Sequence, residues 1–277
     1  MKLRIATCVT LPEVDVDEAP LADALAAAGI DATLVAWDDA TADWDAPIPT
    51  LLRSTWNYAL DVGRFLAWVD RASAAAPLWN PPHVVRANVH KRYLLELQAR
   101  GVPIVPTVMA RSGEPVSMPW DRFVIKPEVG AGSLDTRVFE PGDPEAGAHL
   151  KRLLARGFAL IQPYIHSVDD YGERSLIWID GELTHAIRKN PRFSGDSEQI
   201  DGPFPITDAE REVAEAALAP YAASILYGRV DIAHDDQGNP MVMELELVEP
   251  SLFFAQCPGS AARFAAGLRR RLEVSPR

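Results

Sequence analysis

Residues 228–250, GRVDIAHDDQGNPMVMELELVEP, carry the densest chemistry in this chain. Successive strand residues face opposite sides. Glu244 and Glu246 therefore share one face, while Met243, Leu245 and Leu247 take the other. On the strand before the DDQGNP turn, Arg229 and Asp231 share a face. A turn centred on Gln237 and Gly238 brings Asp231 near Glu244 across the hairpin. Three carboxylates crowded on one patch repel each other, and a bound divalent cation removes that penalty. Oxygen-only ligands are hard and favour magnesium, with manganese as an alternative, over zinc. The plainer alternative is a solvated polar face. The opposing Asp231, the adjacent Arg229 and the downstream Glu249-Pro250 weigh against it.

Lysines supply the complementary charge. Lys126 ends the strand-like FVIKP just before a loop holding Gly130, Gly132 and Ser133. A walled lysine beside backbone N–H groups grips polyphosphate well. The loop is no Walker A, because no Gly-Lys-Ser/Thr follows it and a strand comes next. It reads as a flap between strands, with an ordinary glycine hairpin as the alternative. Lys91 sits on a helix-like stretch and, taken alone, is a surface lysine. Arg53-Ser-Thr-Trp-Asn-Tyr58 ends an early strand, where ligands gather in open α/β sheets. Arg53, Ser54, Trp56 and Tyr58 together suit a small polar substrate bearing a carboxylate. The alternative is that Trp56 and Tyr58 pack between domains while Arg53 pairs with an acid. The six histidines are scattered, and no Ser-His-Asp or Cys-His constellation stands out.

The elements that must position these groups change character along the chain. Residues 1–84 alternate strand and helix, with strands at 3–9, 31–37 and 50–54 and helices at 20–28 and after Asp61. That is a small parallel α/β domain. The stretch PLWNPPHV (77–84) marks a boundary. A helix is expected from Asn88 through Arg100, stopped by Gly101. Residues 122–189 read as α+β strands with a helix near 144–156 and a hairpin at Asp180-Gly181. The Pro-, Gly- and Ser-rich stretch 190–205 reads as a mobile loop. A helix at 207–226, the carboxylate hairpin and a helix capped by Ser260 complete the chain. The expected division is 1–84, then 85–277, in which 85–120 joins 190–277 and 121–189 forms a lid-like part.

Composition removes other classes. A net charge of −12 gains nothing from phosphate-backbone attraction, so nucleic acid is not an expected partner. No stretch approaches the roughly 20 apolar residues that cross a bilayer. The N-terminus lacks the apolar core of a signal peptide. Cys8 and Cys257 form no disulfide framework and suit a reducing compartment, so a cytoplasmic location is expected.

The order of these pieces resembles the ATP-grasp superfamily over residues 85–257. It runs Asn88-x-x-Lys91, GVPIVPT, Phe-Val-Ile-Lys126-Pro, a glycine flap and Gln162-Pro-Tyr164-Ile165. Gly172-Glu173-Arg174-Ser175, Arg188-Lys189, Arg229-Val-Asp231 and Glu244-Leu-Glu246 follow. The nearest branch is similar to the glutathione-synthetase-like ligases. MELELVEPSLFF and RSTWNY are also similar to a group of that branch containing the cyclo-ligase that closes O-ureido-serine to cycloserine. The resemblance implies ATP and magnesium as cofactors and a carboxylate activated as an acyl phosphate for attack by an amine-type nucleophile. It implies that Lys91 and Lys126 contact phosphates and that Gln162, Tyr164 and Ile165 border adenine. It also implies an acidic role for Glu173, charge stabilisation by Arg188 and Arg229, and metal ligation by Asp231, Glu244 and Glu246. Glu246 departs from the Glu-x-Asn of glutathione synthetases, which leaves the substrate open but not the ATP site. The expected partner is a small or amino-acid-like substrate, with room for a homodimer. Two rivals are a non-catalytic, synapsin-like ATP binder and a small-molecule kinase that stops at the phosphorylated product.

Overall fold

The computed structural model describes residues 1–130, 134–189 and 199–274. Four parallel strands, β1 (Lys2–Thr7), β2 (Asp31–Ala36), β3 (Thr50–Leu52) and β4 (Leu78–Trp79), form a sheet in the order β2-β1-β3-β4. α1 (Glu18–Ala27) crosses from β1 to β2, and α2 (Val62–Ala75) from β3 to β4. α2 forms because Phe65, Trp68, Val69 and Ala72 recur at helical spacing and are buried. Asp61 caps it, its carboxylate accepting the Arg64 N–H at 3.0 Å. The helix packs Phe65 and Trp68 against Trp37, Trp44 and Tyr58.

The proline-rich stretch 77–84 is woven into the fold. It supplies β4 and the start of α3 (Pro82–Asn88), whose first-turn proline lacks only an N–H that would have no helical partner. The helix expected from Asn88 is broken. α3 ends there and α4 (Tyr93–Ala99) begins four residues after Val89. The Lys91 N–H is bonded to the Glu128 carbonyl at 2.9 Å, so it is not part of a continuous helical ladder.

A second sheet is antiparallel: β5 (Val108–Ala110), β6 (Phe123–Pro127), β7 (Arg137–Phe139) and β8 (Ala159–Pro163), in the order β5-β8-β6-β7. α5 (Pro144–Leu154) covers it with Ala146, Leu150 and Leu153. A short turn of helix, α6 (Ser167–Asp170), leads out of it.

The third sheet holds the carboxylate hairpin. It comprises β9 (Glu173–Ile179), β10 (Glu182–Lys189), β11 (Ile200–Phe204), β12 (Tyr227–His234) and β13 (Pro240–Glu246), in the order β11-β10-β9-β12-β13. Sheet membership thus differs from the grouping 121–189: β9 and β10 join the hairpin's sheet, and β5 joins the second. The described part of the stretch 190–205 contains β11, paired with β10. α7 (Asp208–Leu218), shorter than the expected 207–226, opens with a Thr207/Glu210 capping box and packs Val213, Ala217 and Leu218 against one core. α8 (Ser260–Val274) packs Phe264 and Leu268 into another, shared with Leu21 and Leu25 of α1 and Leu3 and Ile5 of β1. The first and third sheets are therefore joined through a common apolar core.

Candidate active site

β12 and β13 pair with Arg229 opposite Glu246 and Asp231 opposite Glu244, a register that the DDQGNP turn starts and a bulge between Asp231 and Ile232 shifts by one residue. β13 lies at the sheet's edge, where Val242 pairs with the backbone of Pro103 and Val105 and the later outer groups are taken by side chains. Asn88 donates to the Leu245 carbonyl at 2.9 Å and accepts from the Leu247 N–H at 2.7 Å. The Leu245 N–H donates to the Tyr93 hydroxyl oxygen at 3.1 Å, and the Asn80 amide donates to the Leu247 carbonyl at 2.8 Å. Edge strands need such cover. Here the cover also fixes which face Glu244 and Glu246 present.

The three expected metal carboxylates share one wall, held by cations. Arg229 donates to both Asp231 oxygens, at 2.8 and 2.9 Å, and to Glu246 at 2.5 Å. Ser175 donates to Asp231 at 2.6 Å, and Lys189 lies 3.4 Å from it. Lys189 also pairs with Glu173 at 2.8 Å, and Lys91 pairs with Glu244. Burial alone would raise the Asp231 carboxyl, but Arg229, Lys189 and the donated hydrogen bonds hold it well below the carboxylate range. Burial likewise opposes the charge on Arg229, yet Asp231 and Glu246 raise it. Burial, together with Asp231, pushes Glu173 up against the pull of Lys189. Among the described residues, no three His, Cys, Asp or Glu side chains converge as a ready-made metal cage.

These groups line a cavity of about 820 Å³. Lys91, Gly130, Glu173, Arg229, Asp231, Glu244 and Glu246 form one part of its wall, and Trp56, Asn57 and Tyr58 form another. Lys126 is buried, with Lys91, Glu173 and Asp231 close enough to act on its charge. Burial and the neighbouring Lys91 push its ammonium down to about 7. Burial also lowers Lys91, against the attraction of Glu246. Two desolvated lysines beside each other are poised for an anion.

Other expected residues lie elsewhere. Arg53 does not face this cavity. It donates to Asp17 at 3.1 Å and to the Pro250 carbonyl at 3.0 Å, with side chains only 2% and 1% exposed for Arg53 and Asp17. Asp17 in turn accepts the N–H groups of Leu252, Phe253 and Phe254, so Arg53 secures the turn that follows β13. Ser54 is buried and bonds to Thr7. Arg188 pairs with Asp201 at 3.0 Å and lies over the Tyr171 and Phe204 rings. Strand alternation from Glu173 explains this: Arg188 is opposite Arg174, whereas Lys189 is opposite Glu173 and takes the cavity side. Gln162, Tyr164 and Ile165 lie off the cavity wall at the end of β8. Gln162 donates to Thr107 at 2.8 Å, and the Tyr164 N–H is spent on the Arg122 carbonyl at 2.9 Å. Gly132 and Ser133 lie outside the described residues.

Three wall residues stand in the motifs read from sequence without a role of their own there. Lys189 was legible from alternation alone. Asn57 joins Trp37 to Asp38, accepting at 2.6 Å and donating at 2.7 Å, a long-range link without local signature. Glu249 follows the hairpin and reaches the cavity between Tyr58 and Glu246.

Known proteins match this arrangement. Residues 3–80 match the family model described as D-cycloserine synthetase DcsG, N-terminal domain. The cycloserine biosynthesis protein DcsG of Streptomyces lavendulae is 36% identical over 293 residues, covering 97% of this chain and 98% of that protein. The crystal structure of D-cycloserine synthetase DcsG superposes with a TM-score of 0.89 at 34% identity, over 98% of this chain and 100% of that one. The RimK domain ATP-grasp protein of Sphaerobacter thermophilus shares the fold, with a TM-score of 0.68 at 17% identity over 96% and 99% of the two chains. End-to-end identity of this order is a family relation, and the chain belongs to the D-cycloserine synthetase family of the ATP-grasp superfamily, as an ATP-dependent ligase that forms carbon–nitrogen bonds.

Proposed function

We propose that the enzyme uses ATP and magnesium to close O-ureido-serine, or a near amino-acid relative, to cycloserine or its carbamoylated ring. The cavity carries this reading. It joins a cationic stretch, Lys91, Lys189 and Arg229, with Lys126 buried beside Lys91, to an aromatic stretch, Trp56 and Tyr58, within one cavity. Polyphosphate fits the first and a small amino acid the second. The likeness to D-cycloserine synthetase supports the substrate class.

The donor set fits magnesium. Glu244 and Glu246 are hard oxygen ligands on the cavity wall, 26% and 27% exposed, and Asp231 lies beside them, sharing Arg229 with Glu246. Bound there, magnesium would neutralise charge on the transferring phosphoryl group. The chain's own groups do the rest. Lys91, Lys126 and Arg229 are placed to balance phosphate charge while the substrate carboxylate takes the terminal phosphoryl as an acyl phosphate. The ureido nitrogen next to oxygen then attacks that carbonyl. The new C–N bond closes the ring, the C–O bond to phosphate breaks, and the nitrogen loses its proton, giving the N-carbamoyl ring; addition of water to the carbamoyl group, with release of carbon dioxide and ammonia, would then give cycloserine. Positioning and charge neutralisation suffice, and no side-chain nucleophile takes part.

The test is turnover with ATP, magnesium and O-ureido-serine, following ADP and the ring product by mass spectrometry. ADP and cyclised product in equal amounts are expected. ADP with a stable phosphorylated acid would make the protein a kinase, and no ADP at all would make it a binder.

A further inference from the structure

We infer that Glu249, with Tyr58 and Trp56, forms a subsite for the α-ammonium of the amino-acid substrate. The four acidic side chains around the hairpin wall are each paired with a cation: Asp231 with Arg229 and Lys189, Glu173 with Lys189, Glu244 with Lys91 and Glu246 with Arg229. Glu249 differs. It is only 8% exposed and lines the same cavity, yet it has no ion pair among the described residues. A buried carboxyl without a cation is costly unless something compensates it. The buried Tyr58 hydroxyl lies close to this carboxyl, and burial together with that charge raises the phenol. The Trp56 indole donates to the Glu249 backbone carbonyl at 3.1 Å, which fixes that residue and leaves the side chain facing the cavity. Burial and the Glu246 charge push the carboxyl up to about 8.

A carboxyl so placed, on the cavity wall and without an ion-pair partner among the described residues, can accept a positive group that arrives with the substrate. Two aromatic side chains beside it favour an ammonium, which gains from ring faces as well as from the charge. The anionic end of the substrate is meant for phosphorylation and faces Lys91 and Arg229. An ammonium at Glu249 would thus orient an amino acid with its carboxylate toward the nucleotide end. This subsite rests on the proposed amino-acid substrate, although its test is independent of ring closure.

Calorimetry on the full chain with ADP and magnesium would compare O-ureido-serine with its desamino analogue, 3-(ureidooxy)propionate. The parent protein should bind the analogue about 10- to 100-fold more weakly, the loss of one charged hydrogen-bonded pair. Glu249→Gln should bind O-ureido-serine weaker by a similar factor, with ADP affinity and magnesium requirement unchanged, and should lose most discrimination between the two ligands. Equal binding of both ligands by the parent would overturn the inference, and it needs no variant that must fold. So would a Glu249→Gln protein whose magnesium requirement shifts while its amino-acid affinity does not. Absence of cyclised product would refute the proposed reaction without touching this binding result.

Discussion

Replacing Arg53 by alanine separates a substrate-binding role from a structural one. Arg53 and Asp17 are almost wholly buried, and each is the other's ion-pair partner at 3.1 Å. Truncating Arg53 leaves a buried carboxylate without its cation, a loss of about 3–5 kcal/mol when nothing else compensates. Asp17 keeps three backbone N–H donors, from Leu252, Phe253 and Phe254, so the lower figure of about 3 kcal/mol applies. The Pro250 carbonyl also loses its donor. For a chain of this size, about 3 kcal/mol lowers the melting temperature by roughly 6–12 °C. Asp17→Ala should cost more, because it orphans three N–H groups as well as the guanidinium. Thermal melts of both variants give the comparison, beside KM values for ATP and the amino acid. An Arg53→Ala protein that melts with its parent yet shows a raised KM for the amino acid alone would refute the structural assignment and return Arg53 to the substrate site.

Glu244→Gln should retain the fold and lose at least about 100-fold in turnover, since it withdraws a proposed metal ligand; circular dichroism and ADP release check both halves. Lys189→Met should cost far more activity than Arg188→Ala, because only Lys189 contacts Asp231 and Glu173; steady-state rates decide, and a larger loss at Arg188 would reverse the assignment. Lys126 is held at about 7, against an ordinary lysine at 10.5. Between those values the unfolded chain binds the extra proton, so this group's effect on stability becomes more favourable as pH rises. Nucleotide phosphate restores the proton, so ADP affinity should fall by up to about tenfold per pH unit above about pH 7. Titrations across that range should show the slope in the parent and a flatter one in Lys126→Met; an unchanged slope would clear Lys126 of the effect.

Local rules made some of this site readable. The DDQGNP turn and a period of two brought Asp231 near Glu244, with a bulge between Asp231 and Ile232 supplying the last residue of register, and Asp61 before an apolar helical stripe marked α2. These depend on neighbours within a few residues. What sequence left open depends on partners far along the chain. Arg53 carries the right charge for a carboxylate ligand, but Asp17 and the backbone at 252–254 decide where it points. Asn88 looks like a helix start until its amide is seen to bond Leu245 and Leu247, more than 150 residues away. Arg188 and Lys189 differ only by strand parity, which was legible in principle from Glu173. Glu249 added to the acidic pattern of the hairpin in sequence, but its unusual state comes from the walls around it, which lie far along the chain.

The side-chain cover over β13 bears on how this lineage can change length. Asn88 bonds the backbone of β13 at Leu245, and Asn80 and Asn88 both bond Leu247 just beyond it, so the spacing between them is a ruler for the carboxylates. One residue inserted between them would shift one contact against the other, and a one-residue slip turns every strand side chain to the opposite face. Glu244 and Glu246 would then point into apolar packing. Length variation among descendants should therefore be absent from 80–88 and from the hairpin turn Asp235–Asn239, and should collect at exposed turns outside the hairpin such as Arg111–Glu114, where an added residue moves none of these carboxylates.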